Sequence, residues 1–139
     1  MPAKDTFHYI VRSALEKDGW RITHDPLYMR VSPTIGLYLD IGAEKLLAAE
    51  REGRKIAVEI KSFLGLSSLS EFHLALGQFL NYRLALEELE SDRELYLAVS
   101  ADAYQEFFSD PFIQKSIVRY QLKLLIFHSQ KEVIIEWKT

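Results

Sequence analysis

Two short alternating runs, residues 56–60 and 95–99, flank a long stretch whose apolar residues recur at helical spacing. In that stretch, from Ser68 to about Leu89, Phe72, Ala75, Leu76, Phe79, Tyr82 and Leu86 share one face, and Leu74, Leu80 and Leu84 widen it. So broad an apolar surface has to be covered by a sheet. Strand, helix, strand in this order predicts a parallel pair joined by a right-handed crossover, which makes the chain α/β. Ser68-x-x-Glu71 reads as a capping box that opens the helix. Gln78 and Tyr82, four residues apart on it, project together. Gln78 is either exposed on the flank or, if buried, in need of a hydrogen-bond partner.

The remaining elements fall around that unit. Residues 5–18 form an amphipathic helix through Phe7, Ile10, Val11, Ala14 and Leu15, with Asp5 as N-cap and Gly19 as stop. A short strand over residues 20–23 is followed by the turn His24-Asp25-Pro26, and residues 28–31 can pair back on it. Residues 37–40 are extended and Ile41-Gly42-Ala43 interrupts them. Ser100 caps a helix reaching Phe108, and Asp110-Pro111 opens another reaching Tyr120, with Phe108, Phe112, Ile113 and Ile117 as core candidates. Residues 122–127 and 133–137 form a final hairpin. The 139 residues suffice for one core, so a single domain spanning 1–139 is expected.

Composition narrows the function. The net charge of −3 argues against a protein that coats DNA through a general basic surface, but not against a local basic cleft. With no cysteine, thiolate metal sites and disulfides are excluded, and a cytoplasmic location fits. No apolar run reaches the length of a membrane span, and residues 1–5 lack the apolar core of a signal peptide. The four histidines show no His-x-x-x-His spacing, and no phosphate-binding glycine loop or nucleophile elbow is present.

Chemistry concentrates at Glu59-Ile60-Lys61. On a strand, Ile56, Val58 and Ile60 face one way, whereas Glu59 and Lys61 face the other about 7 Å apart. By itself such a pair is most simply a polar strand face with a weak ion pair. Residues 44–51 favour helix by propensity, yet Glu52-Gly53 sits where a two-residue hairpin turn would, and the hairpin is preferred. Pairing Arg51 with Arg54 then sets Glu44 opposite Lys61 and Leu46 opposite Glu59. Glu44, Glu59 and Lys61 converge in this register, with Asp40 of the same parity but further along. Two carboxylates can hold Mg²⁺ (or Mn²⁺), and the metal neutralises a phosphodiester and acidifies a bound water. A lysine can orient that water, while Gln78 and Tyr82 position it.

Asp40 or Glu44, followed by residues 56–61, resembles the PD-(D/E)xK phosphodiesterase superfamily, and Gln78-Phe79-Leu80-Asn81-Tyr82 matches the Gln-x-x-x-Tyr signature of its RecB-like members. The strings at residues 5–8, 19–28, 39–46 and 71–83 resemble the XisH family more closely, over nearly the whole chain. That resemblance implies a restriction-endonuclease-like core, α-β-β-β-α-β, with a mixed central sheet flanked by helices and a C-terminal hairpin. It implies control of fdxN element excision in cyanobacterial heterocyst differentiation, alongside DNA, a small XisI-like partner and a site-specific recombinase, with homo-oligomerisation left open. Under it, Glu59, Lys61, Gln78, Tyr82 and His8 are the catalytic candidates, and Asp40, Glu44 and Glu59 the metal candidates. Two departures qualify it. Neither Asp40 nor Glu44 follows proline, and His8 stands where many relatives carry a first-helix glutamate. The function expected is therefore a metal-dependent endonuclease-like protein, and the alternative is an inactive module of the same fold that regulates a recombinase.

Overall fold

The computed structural model describes residues 3–46, 53–65 and 67–139. Its centre is a six-stranded mixed sheet in the order β1-β4-β5-β6-β7-β8: β1 Arg21–His24, β4 Ile41–Leu46, β5 Gly53–Ile60, β6 Arg93–Ser100, β7 Leu124–His128 and β8 Val133–Lys138. β2 (Leu27–Arg30) and β3 (Gly36–Leu39) form a separate antiparallel pair. The helices are α1 (Ala3–Lys17), α2 (Ser68–Leu89), α3 (Ala101–Ala103, continued by a π-helical turn, Tyr104–Phe108) and α4 (Pro111–Arg119). β5 and β6 are parallel and joined through α2, as the alternation around that helix requires. β6 and β7 are parallel too, whereas β1–β4, β4–β5 and β7–β8 are antiparallel.

Both faces of the sheet are covered, so its middle strands are apolar on both sides. Ile56, Val58, Tyr96 and Ala98 pack with Ile10, Val11 and Leu15 of α1. Ala57, Leu95, Leu97 and Val99 pack with Phe72, Phe79 and Leu86 of α2, joined by Leu27, Met29 and Leu39 of the small hairpin. Phe72 and Phe79 are 1% exposed, and burying a side chain of that size contributes about 1.5–3 kcal/mol. Glu59 lies on the α2 face, with parity opposite to Ile56, Val58 and Ile60. That face is covered rather than solvated, and Glu59 is only 8% exposed.

Several local expectations are corrected. α1 begins at Ala3, which puts Asp5 inside its first turn rather than at the cap. Gly19 does end it, at φ 92°, a left-handed conformation that glycine adopts at no steric cost. Ile41-Gly42-Ala43 is not an interruption but the start of β4. β2 pairs with β3, Tyr28 against Tyr38, and not with β1, because Leu27 and Met29 have an apolar core to fill beside Leu39. The N-cap of α2 is Ser67, whose hydroxyl accepts from the Ser70 N–H, one residue before the expected Ser68. Leu74, Leu84 and Phe112 are 61%, 55% and 66% exposed and lie outside the core. Ser100 and Asp110 cap their helices as expected.

The β4–β5 register is the correction with the largest consequence. Leu46 pairs with Gly53, Glu44 with Lys55 and Ile41 with Val58. Gly53 is therefore a strand residue paired with Leu46 and not part of the expected Glu52-Gly53 turn; residues 47–52 lie outside the described residues. The slide is six residues. Being even, it keeps side-chain parity but moves every partner along the strand.

Candidate functional site

The site gathers where the C-terminal end of β5 meets the start of β4. Continuing the register by one pair past Ile41–Val58 sets Asp40 across from Glu59. The Ile60 N–H donates to Asp40 Oδ2 at 2.7 Å, which clamps that carboxylate to the Glu-x-Lys backbone. The Lys61 N–H donates to the Ala98 carbonyl at 3.1 Å, so the chain stays tied to β6 as it leaves the strand. Lys61 Nζ lies 3.9 Å from Glu59 Oε1, with side chains 26% and 10% exposed. α1 delivers His8, whose Nε2 donates to Asp25 Oδ1 at 2.7 Å while Nδ1 stands 4.0 Å from Asp40 Oδ1. Arg12 pairs with Asp25 from the other side.

His8, Asp40, Ile60, Lys61, Ser62 and Glu71 help line a cleft of about 270 Å³. α2 closes it from the covered face. Burial raises the Tyr82 hydroxyl above its ordinary range, and the negative charges of Glu59 and then Asp40 add to the effect, so the phenol stays protonated in the field of both acids. Gln78 Oε1 is buried and has no hydrogen-bond partner among the described residues, which decides the choice left open for it.

Glu44 does not join this group. Its partner Lys55 is four residues from Glu59, about 13 Å along the strand. Its carboxylate engages Arg21 at 3.1 Å and Lys55 at 4.0 Å instead. The expected convergence on Glu44 is thus replaced by Asp40.

Two further acids, Asp25 and Glu71, lie at the site with little or no local sequence signal for that position. Asp25 reads locally as a turn residue, and nothing local signals that His8 reaches it across 17 positions. Glu71 reads locally as a cap partner. Its Oε1 accepts from the Gly65 N–H at 3.0 Å, whereas its Oε2 is buried with no hydrogen-bond partner among the described residues. Its position in the first turn of the helix after Glu-x-Lys was the available signal.

The donor set suits one kind of metal better than another. Among the described residues no three His, Asp or Glu side chains cluster to hold a metal by themselves. A zinc site needs three or four protein ligands, whereas Mg²⁺ is bound through one or two carboxylates and keeps its waters. Asp40 and Glu59, opposed across β4 and β5, fit the second pattern. A wider cleft of about 660 Å³ opens at the other end of the sheet, around Arg83, Arg93 and Lys123. Its cations are already engaged: Arg83 by the carbonyls of Tyr120 and Gln121, Arg93 by Glu90 and the Ile56 carbonyl, Lys123 by Glu94 and Lys138 by Glu136.

Fold and cleft together define a mixed α/β protein with an acid–lysine site at the end of a central strand. The XisH protein family model matches residues 1–135, and the chain belongs to the XisH family. It is similar to the crystal structure of an XisH family protein from Nostoc punctiforme, with 50% identity and a TM-score of 0.87 over 97% of this chain and 100% of that one. An fdxN element excision controlling factor protein from Anabaena variabilis is 49% identical, with a TM-score of 0.87 over 97% of this chain and 99% of that one. No curated protein matches it. No helix among the described residues is long and apolar enough to cross a membrane.

Proposed function

We propose that the chain is a metal-dependent, nuclease-like DNA-processing factor acting in excision of the fdxN element, as its Anabaena variabilis relative is described, and that its fold belongs to the PD-(D/E)xK group. The observation that carries this is the β4–β5 register, which sets Asp40 against Glu59-Ile60-Lys61 and clamps it there through the Ile60 N–H. Asp40 and Glu59 would hold Mg²⁺ or Mn²⁺. When bound, the metal supplies charge neutralisation at a phosphodiester and a more acidic water. Lys61, at the cleft wall, orients the water and faces the developing charge. Tyr82, protonated in the field of both acids, is a hydrogen-bond donor beside them, and the buried Gln78 oxygen, which has no partner among the described residues, would accept a hydrogen bond from a water. His8, held by Asp25, orients Asp40. The protein would act in the cytoplasm beside a site-specific recombinase and a small XisI-like partner.

The test is cleavage of single-stranded, duplex and branched DNA in Mg²⁺ or Mn²⁺. Wild type is expected to cut at least one substrate, and Glu59→Ala to abolish cutting. Absence of cleavage by wild type, or unchanged cleavage by the variant, excludes the enzymatic reading.

A second reading, a non-catalytic module of the same fold that regulates the recombinase, is favoured by one feature. His8 is engaged by Asp25, and no third His, Asp or Glu completes a ligand set among the described residues. Binding to the small partner without any metal-induced rise in melting temperature would select it.

A further inference from the structure

The β2–β3 hairpin begins and ends next to acids of the candidate site. Asp25, which holds His8, precedes it, and Asp40, the acid clamped to β5, follows it. One face of the hairpin is buried, through Leu27, Met29 and Leu39. The other carries Tyr28, Arg30, Gly36 and Tyr38, since Tyr28 pairs with Tyr38 and Arg30 with Gly36.

Two tyrosines on a solvent-facing strand pair are costly to leave exposed. Yet Tyr28 is 44% and Tyr38 62% exposed, and their rings meet at 4.8 Å, tilted by 45°. Gly36 holds this arrangement. A Cβ there would stand 2.6 Å from the Tyr28 hydroxyl, so a larger residue would make that ring shift. Arg30 is steadied by the Pro33 carbonyl at 3.0 Å. Charge also sets the segment apart. Residues 27–39 contain one arginine and no acid, in a chain that has 20 acidic residues and a net charge of −3. An acid-free surface of two exposed rings and a guanidinium suits a polyanion whose flat groups can stack.

We propose that the outer face of the β2–β3 hairpin (Tyr28, Tyr38 and Arg30) is a stacking platform for an unpaired stretch of DNA entering the candidate cleft. The inference rests on the DNA-processing reading above and adds its substrate class, DNA with unpaired nucleotides beside the scissile bond. The rings stack on bases, Arg30 meets the backbone, and the strand runs on past Asp40.

Binding separates this from the cleavage chemistry. The full chain is titrated, in EDTA to prevent cutting, against a fluorescent oligothymidylate and against a blunt duplex. The expected result is tighter binding to the single strand, weakened about fivefold or more by Tyr28→Ala or Tyr38→Ala. Tyr28→Phe and Tyr38→Phe, which keep the stacking surface, stay within about twofold of wild type. Gly36→Ala, which makes the Tyr28 ring shift without removing it, weakens single-strand binding less than Tyr28→Ala does. All three positions are exposed, so circular dichroism should show an unchanged fold. No single-strand binding by wild type, equal binding to both DNAs, or alanine variants matching wild type would overturn the platform. Each result is independent of the Mg²⁺ cleavage assay, whose failure with single-strand binding intact would exclude only the enzymatic reading.

Discussion

Asp40 sits between β3 and β4, at a bend where its side chain can reach the backbone of the neighbouring strand. Glu44, four residues later, has the same charge and parity, but the register gives it Lys55 and Arg21 for company. The two therefore differ in position rather than in chemistry, and metal binding distinguishes them. Saturating Mg²⁺ or Mn²⁺ should raise the wild-type melting temperature by roughly 5–10 °C at about a hundredfold excess over Kd. Asp40→Asn should abolish that rise, whereas Glu44→Gln should keep it. A rise lost in Glu44→Gln and kept in Asp40→Asn would contradict the placement of the site. Residue type was readable here without any fold: acid, Glu-x-Lys, Gln-x-x-x-Tyr. Which acid is used depends on strand register, which pairs Gly53 with Leu46 instead of placing it in a Glu52-Gly53 turn.

Among the elements, α2 does the most to place the site. Its buried stripe of Phe72, Ala75, Phe79 and Leu86 locks it onto β6, and Tyr82 is carried along to the acids. Its first turn brings Glu71 to the cleft wall. The loop between β5 and α2 is held by two capping interactions, Ser67 to the Ser70 N–H and Glu71 to the Gly65 N–H. Ser67→Ala should lower stability by about 1 kcal/mol, measured by urea denaturation. Ser68→Ala should leave stability within about 0.5 kcal/mol of wild type, since Ser68 is not the cap. The helix was readable in the sequence because its apolar period is sustained over six turns. Its cap was off by one because two adjacent serines offer the same chemistry, and backbone angles choose between them.

At the scale of the whole molecule, the sheet separates two polar ends. One carries the candidate cleft. At the other, Glu94 of β6 meets Lys123 and Arg54, and the Tyr96 hydroxyl donates to it. Burial alone would raise the Glu94 carboxyl, but Lys123, the Tyr96 hydrogen bond and Arg54 outweigh it and hold it below the ordinary value of 4.5. A carboxyl whose pKa is lowered by folding stabilises the native state above its unfolded pKa, and that contribution is lost as pH falls through the folded value. Wild type should therefore lose melting temperature on acidification below about pH 4.5 more steeply than Glu94→Gln. Parallel pH profiles would contradict this. The side chain is 41% exposed, so solvent screening keeps the effect small.

Periodicity and residue chemistry by themselves determined the α/β class, the β5–α2–β6 unit and the identity of Glu59, Lys61, Gln78 and Tyr82 as a group worth following, whereas the covering of the Glu59 face of β5 was not among them. Those properties repeat along the chain at spacings of two or three to four residues, so a local window contains them. Tertiary structure alone decided that Asp40 rather than Glu44 meets Glu59, that β2 pairs with β3 rather than β1, and that His8 is tied to Asp25. Each of these depends on which of several chemically equivalent partners is brought close. That choice is made by register and by apolar volume filled elsewhere: a strand shifted by six residues keeps its pattern of faces while exchanging every neighbour.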